Sequence, residues 1–245
     1  MSLAAKDRIF VAIDVDTLEE AKQIMDQCVG LVSNVKVGLQ LATRESWATV
    51  VAAAKERSFK VFCDAKFKDI PNTVDHATYA LTLNHPDYFT VMADNNLAAL
   101  QAARSGADRA AKELSVEPPR IIGVTVLTSI SPEESQQIYG ADARDKVLQF
   151  GANAVEAGLD AIVCSPKEVA LFRADDRFKD TLLITPGVRP DWAAGNDQAR
   201  SMTPAEAIKA GADMLVVGRP ITQPPAEVGS PAEAIKRIIA EIEEN

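Results

Sequence analysis

The chain has 245 residues, a formal net charge of −9, 47% hydrophobic residues and 25% charged ones. That balance suits a globular protein with a sizeable core, and the lack of any Lys/Arg run to offset the acidity excludes a nucleic-acid or anionic-membrane surface. Cys28, Cys63 and Cys164 are far apart in apolar stretches and form no Cys-x-x-Cys pair, so they read as reduced core thiols of a cytoplasmic protein without a disulfide framework.

No stretch is apolar for long enough to span a bilayer, and no signal-peptide core is visible. Residues 1–6 read as a disordered leader. Residues 8–13 are an apolar run ending at Asp14, and Asp16-Thr17 offers a cap for a helix over 18–27. A second short strand over 33–37 ends in Lys36-Val37-Gly38, and the composition predicts a helix over 41–57. The third strand, 59–63, runs into Asp64-Ala65-Lys66-Phe67-Lys68-Asp69-Ile70-Pro71-Asn72-Thr73. Pro71 suits the first turn of a helix over 73–83. Strands follow at 88–92, 120–126, 160–164, 182–185 and 214–217. They alternate with helices over 97–114, 132–137, 143–157, 166–173, 204–210 and 231–243.

Eight strand–helix units with continuously apolar strands belong to a parallel sheet covered on both faces. In about 250 residues they match a single (β/α)₈ TIM barrel spanning 1–245. No Gly-x-Gly-x-x-Gly follows the first strand, so no dinucleotide site is indicated. Chemistry in such barrels sits in the loops after the strands. The polar residues there are Asp14, Lys36, the Asp64/Lys66/Asp69 group, Thr128 and Ser129, Arg189, and Gly218-Arg219.

Strand alternation puts Asp64 and Lys66 on one side. Two acids and an ammonium within six residues can hold a lysine protonated beside a nascent anion. An isolated Asp-x-Lys-x-x-Asp reads better as a salt bridge on a solvated turn. Lys36 would extend the array into alternating charges, and it reads equally as a lysine snorkelling to solvent. Gly218-Arg219-Pro220-Ile221-Thr222 reads as an anion loop: glycine admits a close ligand and the guanidinium can grip phosphate bidentately. Gln198 is either a further donor or an ordinary loop residue. His76 and His85 form no metal pattern, and no metal site is expected.

The run Asp64 to Thr73 closely resembles the active-site signature of bacterial orotidine 5′-monophosphate decarboxylases. The other segments that match fall in the same order: Ile-Asp14, Lys36-Val-Gly, Val-Thr-Val-Leu-Thr128-Ser129, Thr-Pro-Gly-Val-Arg189-Pro, Gln198 and Val-Gly218-Arg219-Pro-Ile-Thr. The resemblance implies decarboxylation of orotidine 5′-monophosphate to uridine 5′-monophosphate without metal or cofactor. It implies that Lys66 donates the proton, Asp64 faces the substrate carboxylate and Lys36 braces the array. Asp69 and Thr73 would complete the neighbouring site of a homodimer. Asp14 and Thr73 would meet ribose hydroxyls, and Thr128 and Ser129 the pyrimidine edge. Gln198, Arg189, Gly218 and Arg219 would serve the phosphate. One departure stands out: Met92-Ala93-Asp94-Asn95-Asn96 occupies the place of a His-Ala-Ser-Gly-Gly-like segment.

Two rivals remain on the same barrel. A Mg²⁺-dependent sugar-phosphate decarboxylase or aldolase resembles this chain in Asp-x-Lys-x-x-Asp and the Gly-Arg loop, but carries an acid where Lys36 stands. The other is a catalytically silent binder of phosphate metabolites.

Overall fold

A computed structural model describes residues 3–193 and 202–244. The eight strands are β1 (Ile9–Ile13), β2 (Asn34–Val37), β3 (Lys60–Phe67), β4 (Tyr88–Met92), β5 (Arg120–Val124), β6 (Ala161–Val163), β7 (Leu182–Pro186) and β8 (Met214–Val217). They are hydrogen-bonded in sequence order as a closed barrel, the (β/α)₈ architecture expected from the alternation of elements. The helices are α1 (Leu18–Cys28), α2 (Leu39–Glu45), α3 (Trp47–Lys55), α4 (Pro71–Thr82), α5 (Leu97–Leu114), α6 (Pro132–Tyr139), α7 (Ala143–Glu156), α8 (Val169–Arg173), α9 (Pro204–Lys209), α10 (Arg219–Thr222) and α11 (Pro231–Glu243).

The chain divides into two compact units, one running to Asp64 and resuming at Thr185, the other covering Ala65–Ile184. Both boundaries fall inside strands, β3 and β7, and neither lies in a linker. In the first unit β1 pairs in parallel with β2 and β8, and β2 with the start of β3. Every residue of β1 and β2 is buried, which is why these strands read as unbroken apolar runs around Asn34 and Lys36. Phe10 and Phe62 meet edge to face at 5.2 Å between ring centroids. Thr17 and Glu20 close a capping box that starts α1 where the sequence places it. In the second unit β4, β5, β6 and β7 pair in parallel, and Phe172 packs edge to face on Phe178 at 4.8 Å.

Gly106 sits inside the 18-residue α5 because α4 crosses there; an added Cβ would lie 2.1 Å from the Asp75 carbonyl oxygen. Arg109 of α5 then grips the Asp75 carboxylate with two hydrogen bonds of 3.0 and 2.7 Å.

Several boundaries differ from expectation for local reasons. The helix expected over 41–57 is two, because Ser46 adopts a positive φ of 70° and its hydroxyl caps the second helix by accepting from Thr49 N–H. The 166–173 segment opens as a 3₁₀ turn before α8. Residues 219–222, read as a loop, coil into α10. Chain expected to be leader up to residue 6 contributes a 3₁₀ turn at Ala5–Asp7, and Ala5 is buried. Most consequential, β3 continues to Phe67, so Asp64 and Lys66 lie within the strand and not beyond it.

Candidate active site

In the first unit the ends of β1, β2 and β3 gather three charges. Register sets Lys36 between Ala12 of β1 and Phe62 of β3. Its side chain is 10% exposed, and its ammonium donates to both oxygens of Asp14, at 3.1 and 3.3 Å, and to Asp64 Oδ2 at 3.5 Å. Lys36 therefore does not snorkel; its ammonium is held between two carboxylates. An ammonium so deeply placed needs opposite charge around it, and removing it would leave two acids facing one another.

Gly38 makes room for this cluster. A Cβ on residue 38 would stand 2.8 Å from Asp14 Oδ1 and 3.3 Å from Lys36 Nζ. The backbone at Gly38 has φ −101°, which any residue adopts, so the requirement is space alone. The resemblance implies a ribose contact for Asp14; the structure also pairs it with Lys36, and the only sequence signal for that is the tight Lys-Val-Gly spacing.

Also in the first unit, Gly218 and Arg219 follow β8 directly, Arg219 exposed in the first turn of α10. A Cβ on Gly218 would meet Ala12 Cβ at 3.6 Å, an ordinary contact, so space within the folded chain does not demand glycine there. Arg189 follows β7, half-buried, with its N–H bonded to Met202 carbonyl at 3.0 Å. Gln198 lies outside the described residues.

In the second unit Lys66 is half-buried and has a positive φ of 50°, uncommon for a residue with a side chain. The backbone thus leaves regular strand geometry at Lys66, near the end of β3. Its N–H donates to the hydroxyl of fully buried Thr90 on β4 at 2.9 Å, which fixes the backbone at the point of strain. Asp69 and Thr73 are exposed, Asp69 in the turn after β3 and Thr73 in the first turn of α4. Asp69 accepts from Ile70 N–H at 2.7 Å. Thr128 and Ser129 are exposed beyond β5.

Sequence reasoning missed Thr90 and the contacts of the β4–α5 turn. Lys68 Nζ lies 2.6 Å from Asp94 Oδ2, and Asn95 donates to the Asp69 carbonyl oxygen at 2.8 Å. The only sequence signal was that the Met92–Asn96 segment departs from the expected pattern. Among the described residues no three His, Cys, Asp or Glu side chains are grouped to hold a metal ion, and no helix is long and apolar enough to cross a membrane.

Comparisons with known proteins show the family. Residues 7–238 match the Orotidine 5′-phosphate decarboxylase / HUMPS family. The chain is 41% identical over 242 residues to orotidine 5′-phosphate decarboxylase of Nostoc sp., covering 97% of this chain and 98% of that one. It is also 41% identical over 244 residues to the protein of that name from Heliobacterium modesticaldum, covering 99% and 98%. A crystal structure of orotidine 5′-phosphate decarboxylase from Lactobacillus acidophilus superposes with a TM-score of 0.82 at 30% identity, over 96% of this chain and 99% of the other. With the barrel, the Lys36 cluster and the β3 signature in place, the chain belongs to the orotidine 5′-phosphate decarboxylase family, carboxy-lyases of pyrimidine nucleotide synthesis.

Proposed function

We infer that this chain converts orotidine 5′-monophosphate to uridine 5′-monophosphate and carbon dioxide, with Lys66 as the proton donor. The observation that carries the reading is Lys36 held between Asp14 and Asp64 at the root of the β3 signature. The bond from ring carbon 6 to the carboxylate breaks, carbon dioxide leaves, and the electron pair stays on carbon 6. The Lys66 ammonium stabilises that charge as it develops and then gives its proton to the carbon. A fixed charge array of this kind needs little reorganisation during the reaction, and that is the source of its effect. Asp64 faces the departing carboxylate, while Lys36 keeps Asp64 and Asp14 in position.

Gly218, Arg219 and Arg189 grip the phosphate, with Gln198 as a further donor. The open space beside Gly218, where a Cβ would meet only Ala12, supports close approach of a ligand there. Binding energy from this remote group serves the transition state. Asp14 and Thr73 hold ribose hydroxyls, and Thr128 and Ser129 the pyrimidine edge. The enzyme acts as a cytoplasmic homodimer in which Asp69 and Thr73 complete the partner's site; their exposure at the start of α4 supports this.

The test follows the loss of orotidine monophosphate absorbance with EDTA present. Unchanged turnover in the chelator is expected; turnover that needs added Mg²⁺ would transfer the chain to the metal-dependent reading. Mixing the separately impaired variants Lys66→Ala and Asp69→Asn should restore activity through mixed dimers, which carry one intact site. No recovery would rule out the shared site.

A further inference from the structure

The charged residues after β3 are fastened from below by the turn after β4. Asn95 uses both ends of its amide: its nitrogen donates to the Asp69 carbonyl oxygen at 2.8 Å, and its oxygen accepts from Asn96 N–H at 2.8 Å. Asn96 in turn caps α5 by accepting from Ala99 N–H at 2.8 Å. The turn is closed on itself by Asn95 N–H bonding to the Met92 carbonyl at 3.2 Å. A continuous chain of hydrogen bonds therefore runs from the backbone of Asp69 to the first turn of an 18-residue helix.

One residue earlier, Asp94 holds Lys68 at 2.6 Å. Its side chain is only 8% exposed, and its second oxygen, Oδ1, is buried without a hydrogen-bond partner. A carboxylate kept out of water with half its acceptors unused is costly, and the Lys68 ammonium is the charge that offsets it. Two adjacent residues of one turn thus seize two adjacent residues of the other. Between the two clamped points and Pro71 at the start of α4, only Ile70 has no such anchor, and its N–H is taken by the Asp69 carboxylate.

We propose that Asp94 and Asn95 are positioning residues that act through the turn at Lys68 and Asp69, setting where the Asp69 carboxylate is presented. Both residues lie in the Met92–Asn96 segment, directly before α5. The inference rests on the reading of Asp69 as a site residue. Misplacing such a group by about 1 Å costs up to roughly a hundredfold in rate.

The experiment measures kcat and KM for orotidine monophosphate in the full-length protein carrying Asn95→Asp, Asn95→Ala, Asp94→Asn and Asp69→Asn, and in Asn95→Ala combined with Asp69→Asn. Asn95→Asp keeps the shape and the acceptor for Asn96 but loses the donor to Asp69. Its kcat should fall by about tenfold, with KM changed by less than about twofold. Asp94→Asn should show a smaller fall of the same kind. With Asp69 already Asn, Asn95→Ala should add almost nothing, because the path it acts through has been removed. A merely structural Asn95 would cost the same in both backgrounds, and that additivity would overturn the proposal. Wild-type kcat in both Asn95 variants, with Asp69→Asn impaired, would overturn it while sparing the reading of Asp69. A fully active Asp69→Asn would instead overturn that underlying reading. Thermal melting of each variant separates loss of fold from loss of position.

Discussion

Lys36 and Lys66 stand on neighbouring strands and differ in backbone geometry. Lys36 is fixed through its ammonium, which two carboxylates hold within 3.5 Å, on a strand of regular geometry. Lys66 has a positive φ, and the Thr90 hydroxyl accepts its N–H. Under the proposed roles, a lysine that braces other charges gains from a buried, paired ammonium, and one that donates a proton gains from a main chain held in one conformation.

The contrast can be broken most directly at Lys66. Lys66→Ala should lower kcat by about 10³-fold or more, the combined worth of a proton donor and a charge-stabilising group. Substrate analogues should still bind, as read by calorimetry. Turnover like that of the unaltered protein would end the role assigned to this residue.

Gly38→Ala tests the other lysine. The new Cβ overlaps only the side-chain ends of Asp14 and Lys36, so the backbone should stay in place, with a modest loss of melting temperature, while the pair is forced apart. A fall in kcat/KM of about 10- to 100-fold is expected. An equal loss of stability would mean that the backbone, and not the ion cluster, had moved.

Thr90→Val keeps shape and removes the acceptor for Lys66 N–H. Leaving that donor unsatisfied in a buried position should cost about 1–3 kcal/mol in stability, and kcat should fall about tenfold. A change in KM alone would argue that Thr90 does not act on Lys66.

The smallest effect concerns the helix pair behind Lys66. The Arg109 guanidinium on Asp75 holds that carboxyl below its usual range. A lowered native pKa stabilises the fold above the unfolded value of about 3.9 and is lost as pH falls through the native one. Denaturant midpoints from pH 5 down to 2 should drop more steeply in the unaltered protein than in Asp75→Asn. The difference should be slight, because Arg109 is half exposed and water screens the pair.

The barrel was legible in the sequence because most strand residues are buried and apolar, and many helices begin at recognisable caps. The charges of the site were legible because they follow strand ends at fixed spacing. What holds those charges was not. Positive φ at Ser46 and Lys66 leaves no trace when the residue is not glycine. The partners Thr90, Asp94 and Asn95 lie 24 to 26 residues from the groups they hold. Long-range hydrogen bonds of that kind depend on the register of a strand that sequence patterning does not resolve.

The interior thiols carry a practical consequence. Cys28, Cys63 and Cys164 are all buried, and burial pushes the Cys28 thiol up to about 12. At neutral pH almost none of it is thiolate, the form that alkylating reagents attack. Labelling of these cysteines therefore waits for the barrel to open, and mass spectrometry of a maleimide time course would serve as a clock for that opening, with no tag or dye attached to the protein.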